Sequence, residues 1–198
     1  MKRAYRARRR PERTAATRDR IKAAVHELLA EGGFHEATVE EVADRAGVSR
    51  ATIYQHFGSR LELVDAICET FDANPALLEL RELVELEDPD EALARTIANT
   101  VRFWSSEDSV LSQLYGVAAI DPAARALVDR QRADRSREYE RLVDNLAHAG
   151  RLRVQERQAL TLLLVLSSYE TYRELRAAGL SDRRVTAFLQ GAARDSLF

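Results

Sequence analysis

The sequence predicts an all-α fold, and three observations carry that reading. Glycine and proline are scarce, at 8 and 4 of 198 residues. Strict alternation of apolar with polar residues, the period of a half-buried strand, is almost absent. Apolar residues instead recur every three or four positions between helix-start and helix-stop signals. An apolar fraction of 45% with 31% charged residues fits a soluble globular chain, and 198 residues can bury the core of one or two domains. The expected division is a basic disordered arm over 1–12, a three-helix domain over 13–58 and a larger helical domain over 59–198.

The arm is rich in arginine, holds Pro11 and shows no apolar periodicity. A first helix is predicted over about 14–31, with Ile21, Val25, Leu28 and Leu29 on its inner stripe and Gly32-Gly33 as its stop. Phe34 should complete a small core, and His35 should lie in a solvated loop. The stretch 38–60, TVEEVADRAGVSRATIYQHFGSR, reads as two short helices joined by a tight turn. Thr38, with Glu41 three residues on, has the pattern of a capping box. Val39, Val42, Ala43 and Ala46 form the inward face. Gly47 supplies the positive φ that the turn requires. Val48 plugs the space between the helices, and Ser49 caps the second. A further S-x-x-E pattern, Ser59 to Glu62, opens the next helix, predicted to about residue 73. Its Leu61, Leu63, Val64, Ile67, Cys68 and Phe71 cover more than one face, so this helix should connect two bodies.

Asn74-Pro75 opens a helix to about residue 86. Asp88-Pro89 opens another to about 104, with Ser105-Ser106 as a break before a helix over 107–119. Asp121-Pro122 starts a long helix ending near Gly150. One continuous helix is predicted over 154–178, apolar on nearly all sides through 160–166, and Ser181 caps the last. These two long helices are the expected homodimer pair. Tyr139, Leu142, Val143 and Leu146 lie on one, and Leu162, Val165 and Tyr172 on the other. Packing inside their own subunit is the alternative, and one face can serve each purpose.

Two helices over a short glycine-containing turn make a helix-turn-helix, whose second helix fits the major groove of DNA. An ordinary αα-hairpin has the same spacing. The start of the second helix favours DNA, because Ser49, Arg50, Thr52, Tyr54, Gln55 and His56 all carry hydrogen-bonding side chains. Arg50 and Thr52, in its first turn, are the expected base readers, with small contacts from Ser49 and Ala51. An arginine can pair a guanine edge through two hydrogen bonds.

The run A-D-R-A-G-V-S-R-A-T-I-Y-Q-H-F-G-S-R-L-E-L resembles the DNA-binding signature of the TetR (tetracycline repressor) family of transcriptional regulators. The matching residues are Ala46-Gly47-Val48-Ser49, the Ile53-Tyr54-x-His56-Phe57 block, and Leu61 and Leu63. The preceding Glu31-Gly32-Gly33-Phe34 matches too. The resemblance covers about 17–64; beyond it only length and helical pattern agree. Arg60 stands where the family usually has lysine, and either side chain can reach a phosphate. The resemblance implies phosphate contacts from Thr38, Tyr54, His56 and Arg60. It implies a homodimer, joined by a four-helix bundle, on a palindromic operator in double-stranded DNA. It also implies a repressor released by a small-molecule effector in the C-terminal domain. Phe71, Phe103, Trp104, Tyr115, Gln131, Arg132 and Tyr169 are candidates for that pocket, although an aromatic at helical spacing is more often core. The alternatives are a DNA-binding dimer without an effector, and a helical interaction protein whose helix-turn-helix is incidental.

No enzyme, cofactor or metal is expected. His26, His35, His56 and His148 are scattered, and no G-x-S-x-G, P-loop or G-x-G-x-x-G is present. Cys68, the single cysteine, leaves no internal disulfide and reads as a core thiol. The basic N-terminus is followed by no apolar h-region, and the apolar run 160–166 is too short to cross a bilayer. A cytoplasmic location, with no membrane partner, is therefore expected.

Net charge is −2, unevenly placed: residues 1–20 hold nine basic and two acidic side chains, leaving an acid-rich body. Across 36–60 four acids face three bases, so phosphate neutralisation must come from elsewhere. The arm, with Arg18 and Arg20, is the expected source. Removing residues 1–12 should weaken DNA binding and flatten its salt dependence, each lost phosphate contact taking about 0.9 from the log–log slope. Fluorescence anisotropy across a salt series measures this. An unchanged slope would place the arm off the DNA.

Overall fold

The structure, a computed structural model, describes residues 2–32, 38–71 and 74–198, with side chains from Thr14 onward except at 60, 61 and 64. Gly33, Phe34 and His35 lie outside the described residues, as do the side chains of the arm, Arg60, Leu61 and Val64. Among the described residues the chain forms ten helices and no strand. They are α1 (Lys2–Ala30), α2 (Val39–Ala46), α3 (Arg50–His56), α4 (Arg60–Phe71) and α5 (Pro75–Leu83), then α6 (Pro89–Ala118), α7 (Pro122–His148), α8 (Glu156–Leu166), α9 (Tyr169–Ala177) and α10 (Asp182–Leu197). They group into two compact units. One comprises Met1–Thr70 and Ser109–Val128, the other Phe71–Asp108 and Asp129–Phe198.

In the first unit the expected stripe of α1 is the core. Ile21, Val25, Leu28 and Leu29 are buried together with Val42, Ala43, Ala46, Ile53, Phe57, Leu63 and Ile67. Burying one such large side chain stabilises by about 1.5–3 kcal/mol. Cys68 is buried as expected of a core thiol. The backbone of α1 is already helical from Lys2, where the sequence suggested an irregular arm. Arginine and alanine fill much of that stretch and are good helix formers, while Pro11 removes one i→i−4 donor.

In the second unit the two serine pairs behave oppositely to expectation. Ser105-Ser106 does not break the chain, and α6 is one helix through both. Ser106 Oγ donates to the Phe103 carbonyl at 3.0 Å, and Ser105 Oγ donates to Asp182 at 2.7 Å. Neither hydroxyl competes for a backbone N–H, so the ladder survives. Ser167-Ser168, within the predicted helix 154–178, is the real break. Ser168 is extended at φ −70°, ψ 155°, and its Oγ accepts from the Thr171 N–H at 3.1 Å, capping α9. The Ser167 carbonyl accepts from the Trp104 indole at 3.0 Å. Both ends of the interruption are thus hydrogen-bonded.

The long apolar stripe of α7 is consumed inside the same unit. Tyr139, Leu142, Val143 and Leu146 are each at most 3% exposed. Tyr139 shares a 2.8 Å hydrogen bond with the buried Thr100 hydroxyl. Asn145 Nδ2 donates to the carbonyls of Val84 and Leu86 just past α5. Tyr172 on α9 is also interior. These five side chains are covered within their own chain. Their apolar periodicity records burial in their own core.

Ser168→Ala should lower the stability of the chain by about 1 kcal/mol, the usual cost of a lost N-cap. The midpoint of urea unfolding reads it. An unchanged midpoint would mean that Trp104 alone holds the break.

Candidate DNA interface

The interface is built on α2 and α3. The Thr38 Oγ1 accepts from the Glu41 N–H at 3.2 Å, and the Glu41 carboxylate accepts from the Thr38 N–H at 2.6 Å. This is the reciprocal capping box expected from T-x-x-E. Gly47 sits at φ 63°, ψ 42°, a conformation that costs other residues a Cβ clash. The turn then closes through the Val48 N–H to the Ala43 carbonyl at 2.9 Å. Val48 itself is half-buried. Ser49 Oγ accepts from the Thr52 N–H at 3.1 Å and shares a 2.8 Å hydrogen bond with the Thr52 hydroxyl.

Burial sets the rotation of α3. Ile53 and Phe57 are 1% and 2% exposed and fix its inner side. Arg50, Ala51, Tyr54 and Gln55 are then exposed, with Thr52 and His56 half-buried. Thr38 and Ser49 are exposed at the starts of α2 and α3. Seven of the eight expected DNA-contacting residues therefore present surface from one helix pair. The eighth, Arg60, opens α4, and its side chain lies outside the described residues.

Charge around this pair is largely matched. Arg50 Nη1 donates to Glu40 Oε1 at 2.6 Å, and its guanidinium lies 5.6 Å from the Tyr54 ring centre. The Tyr54 side chain first, and Glu40 next, hold the Arg50 pKa above the ordinary arginine value. Arg45 pairs with Glu31 at 2.8 Å. Lys22 pairs with Glu69 at 2.9 Å, and that hydrogen bond is the main cause of a lowered Glu69 pKa.

Arg18, a candidate for phosphate contact, is engaged within the protein. Its Nη1 donates to the His56 carbonyl at 3.1 Å, its guanidinium lies 4.3 Å over the Phe57 ring, and its Nη2 is 3.6 Å from Glu69. It thus puts a cation on the C-terminal end of α3, where a helix favours one. No local pattern announces this contact, because 38 residues separate the partners. At the start of α4, Glu62 N–H donates to Ser59 Oγ at 3.2 Å, while the Glu62 carboxylate accepts from Gly58 rather than Ser59.

Of the expected pocket residues, Tyr115 belongs to the first unit and the other six to the second. Phe71, Phe103, Trp104 and Tyr169 are buried in a continuous ring cluster, with successive centroids 5.8, 5.0 and 5.5 Å apart. Tyr169 donates to the Asp108 carboxylate at 2.6 Å, and burial followed by that bond raises its pKa. Gln131 is half-buried and Arg132 exposed. The arginine that reaches the cluster is Arg135, 5.0 Å over Trp104, with a buried Nε lacking a hydrogen-bond partner. Its phase follows from Tyr139, one turn along α7. An open groove of about 500 Å³ at the α7–α8 turn is lined by Leu152, Val154 and Arg157, and by none of the expected pocket residues. Of the expected dimer residues, Leu162 is half-buried and Val165 is 54% exposed. Phe188 of α10, which packs against α8, is 53% exposed and was not anticipated.

The fold and this surface define a helix-turn-helix DNA-binding protein. Residues 21–67 match the model of the bacterial regulatory proteins of the tetR family. The transcriptional activator FasR of Mycolicibacterium smegmatis is 44% identical over 52 residues, 26% of this chain and 24% of FasR, so the chain matches about a quarter of that protein's length. The transcriptional regulator UidR of Escherichia coli K12 is 23% identical over 176 residues, 88% of each chain. Among solved structures, a TetR-family regulator from Rhodococcus sp. superposes with a TM-score of 0.75 at 19% identity, covering 93% of this chain and all of that one. RolR, solved with its ligand resorcinol, gives 0.63 at 21% identity, covering 94% and 89%. Residues 21–67 are thus a DNA-binding domain of the tetR-family kind, and the chain is a DNA-binding transcriptional regulator.

Arg18→Ala should lower stability by about 1–2 kcal/mol, through the lost helix-end cation and ring contact. It should weaken binding to specific and random DNA alike. Thermal melting and competition binding read the two effects. A selective loss on specific DNA would make Arg18 a reader.

Proposed function

We propose that this chain is a homodimeric repressor that reads a palindromic operator through α3 and is released by a small molecule bound in the second unit. The observation that carries the DNA reading is the rotation of α3. Two buried anchors leave Arg50, Ala51, Tyr54 and Gln55 outward while the cap is satisfied by Ser49 and Thr52. In this reading Arg50 and Thr52 contact base edges, with Ser49 and Ala51 beside them. Thr38, Tyr54, His56 and Arg60 contact phosphates.

Dimerisation is assigned to α8 and α10, because Val165 and Phe188 are large apolar side chains left on their surface. The effector would meet the aromatic cluster and Arg135, and RolR with resorcinol supports ligand binding on this fold. Release is then a population shift, limited by the effector's differential affinity for the two states. The close ring packing favours a second reading, a dimer controlled without an effector. No catalytic role is assigned. No helix among the described residues is long and apolar enough to cross a membrane, and the proposed site of action is the cytoplasm.

The test is competition binding of the purified protein to duplexes recovered by in vitro selection, against random DNA. The wild type should discriminate strongly. Arg50→Ala should lose about 1–3 kcal/mol of discrimination and little non-specific affinity. Equal losses on both duplexes would remove Arg50 from base reading.

A further inference from the structure

Glu40 is the second residue of α2, and Arg50 is the first of α3. Their hydrogen bond, Nη1 to Oε1 at 2.6 Å, crosses the turn, and both side chains are 57% exposed. Neighbouring Glu41 is occupied by the capping box. Glu40 takes no part in that cap, and its carboxylate faces the arginine instead. On the other side Arg50 meets Tyr54, one turn along its own helix. The guanidinium is therefore held between a carboxylate on α2 and a ring on α3.

This placement matters because a guanidinium near DNA has two kinds of target. Phosphates attract it without regard to sequence, and base edges bind it with sequence selectivity. Arginine has five N–H donors in a planar fork. One Nη1 hydrogen goes to Glu40 and the Tyr54 side chain meets the group from its own helix, so the fork is held in place with N–H donors to spare. Two parallel N–H donors on one edge of the fork can pair both acceptors of a guanine. An unpaired carboxylate on the DNA-facing side of α2 would repel phosphates, so separating the pair on binding is unfavourable.

We propose that Glu40 is a specificity-determining residue: its carboxylate fixes the Arg50 guanidinium for a base edge and opposes its transfer to a phosphate. This rests on the reading of Arg50 as a base reader. Glu40 acts through Arg50 and is a positioning residue, with no base contact of its own.

The experiment compares full-length wild type, Glu40→Gln, Arg50→Ala and the double variant on a duplex selected by the wild type and on random DNA. Glutamine keeps the length of the side chain and removes its charge. Glu40→Gln should reduce the specific-to-random affinity ratio by about fivefold or more. Affinity for random DNA should hold or rise, and melting temperature should stay close to that of the wild type. Renewed selection with Glu40→Gln should relax one base position in each half-site. In the Arg50→Ala background, Glu40→Gln should leave the ratio unchanged. A Glu40→Gln protein with the wild-type ratio and base profile would overturn this inference alone. Equal losses on both duplexes with a lowered melting temperature would overturn it too, by making Glu40 structural. A wild-type ratio for Arg50→Ala would remove the base-reader reading and this inference with it.

Discussion

The burial of Ile53 and Phe57 is the constraint on which the functional surface depends. A helix of seven residues has no independent stability in water, since nucleation is costly and few hydrogen bonds repay it. What makes α3 a helix, and what sets its rotation, is tertiary. Two apolar side chains enter a core built by α1, α2 and α4, Ser49 caps the first turn, and Arg18 donates to the His56 carbonyl at the last. A rotation of α3 that buried Tyr54 in place of Ile53 would leave the same residues in sequence and no reading surface.

Electrostatics divides the remaining work. Four cations near the helix pair are engaged within the protein: Arg18 and Lys22 with Glu69, Arg45 with Glu31, and Arg50 with Glu40. Exposed pairs of this kind contribute little to stability, typically 0–1 kcal/mol. Their larger effect is to limit the positive charge that this surface offers to any phosphate backbone. The arginine-rich first turns of α1 carry the unbalanced charge instead. In the proposed reading affinity and selectivity fall to different parts of the first unit, sequence-independent attraction to the N-terminal segment and discrimination to α3.

Much of the first unit was legible because its signals are local. The Thr38–Glu41 box, the glycine at 47, the Ser49 cap and the stripe of α1 each occupy a few adjacent residues, and each formed as the pattern requires. Tertiary contacts were not legible. Arg18 reads as a surface cation until His56 and Phe57 are beside it. The two serine pairs are equivalent as sequence. One lies in an intact helix and the other breaks one, because only Ser168 turns its hydroxyl to a backbone N–H and only Ser167 has an indole for its carbonyl. Apolar periodicity on α7 could not distinguish burial within a subunit from burial between subunits. Val165 and Phe188, the basis of the proposed interface, are seen to be exposed only once α8 and α10 are folded.

In the proposed function two copies of α3, related by a two-fold axis, enter the major groove together. Hydroxyl-radical footprinting of the protein on its selected duplex tests this most directly. Two symmetric protected tracts are expected on one face of the DNA, centred about one helical turn, ~34–36 Å, or a multiple of it apart. A single protected tract, or protection without two-fold symmetry, would contradict it.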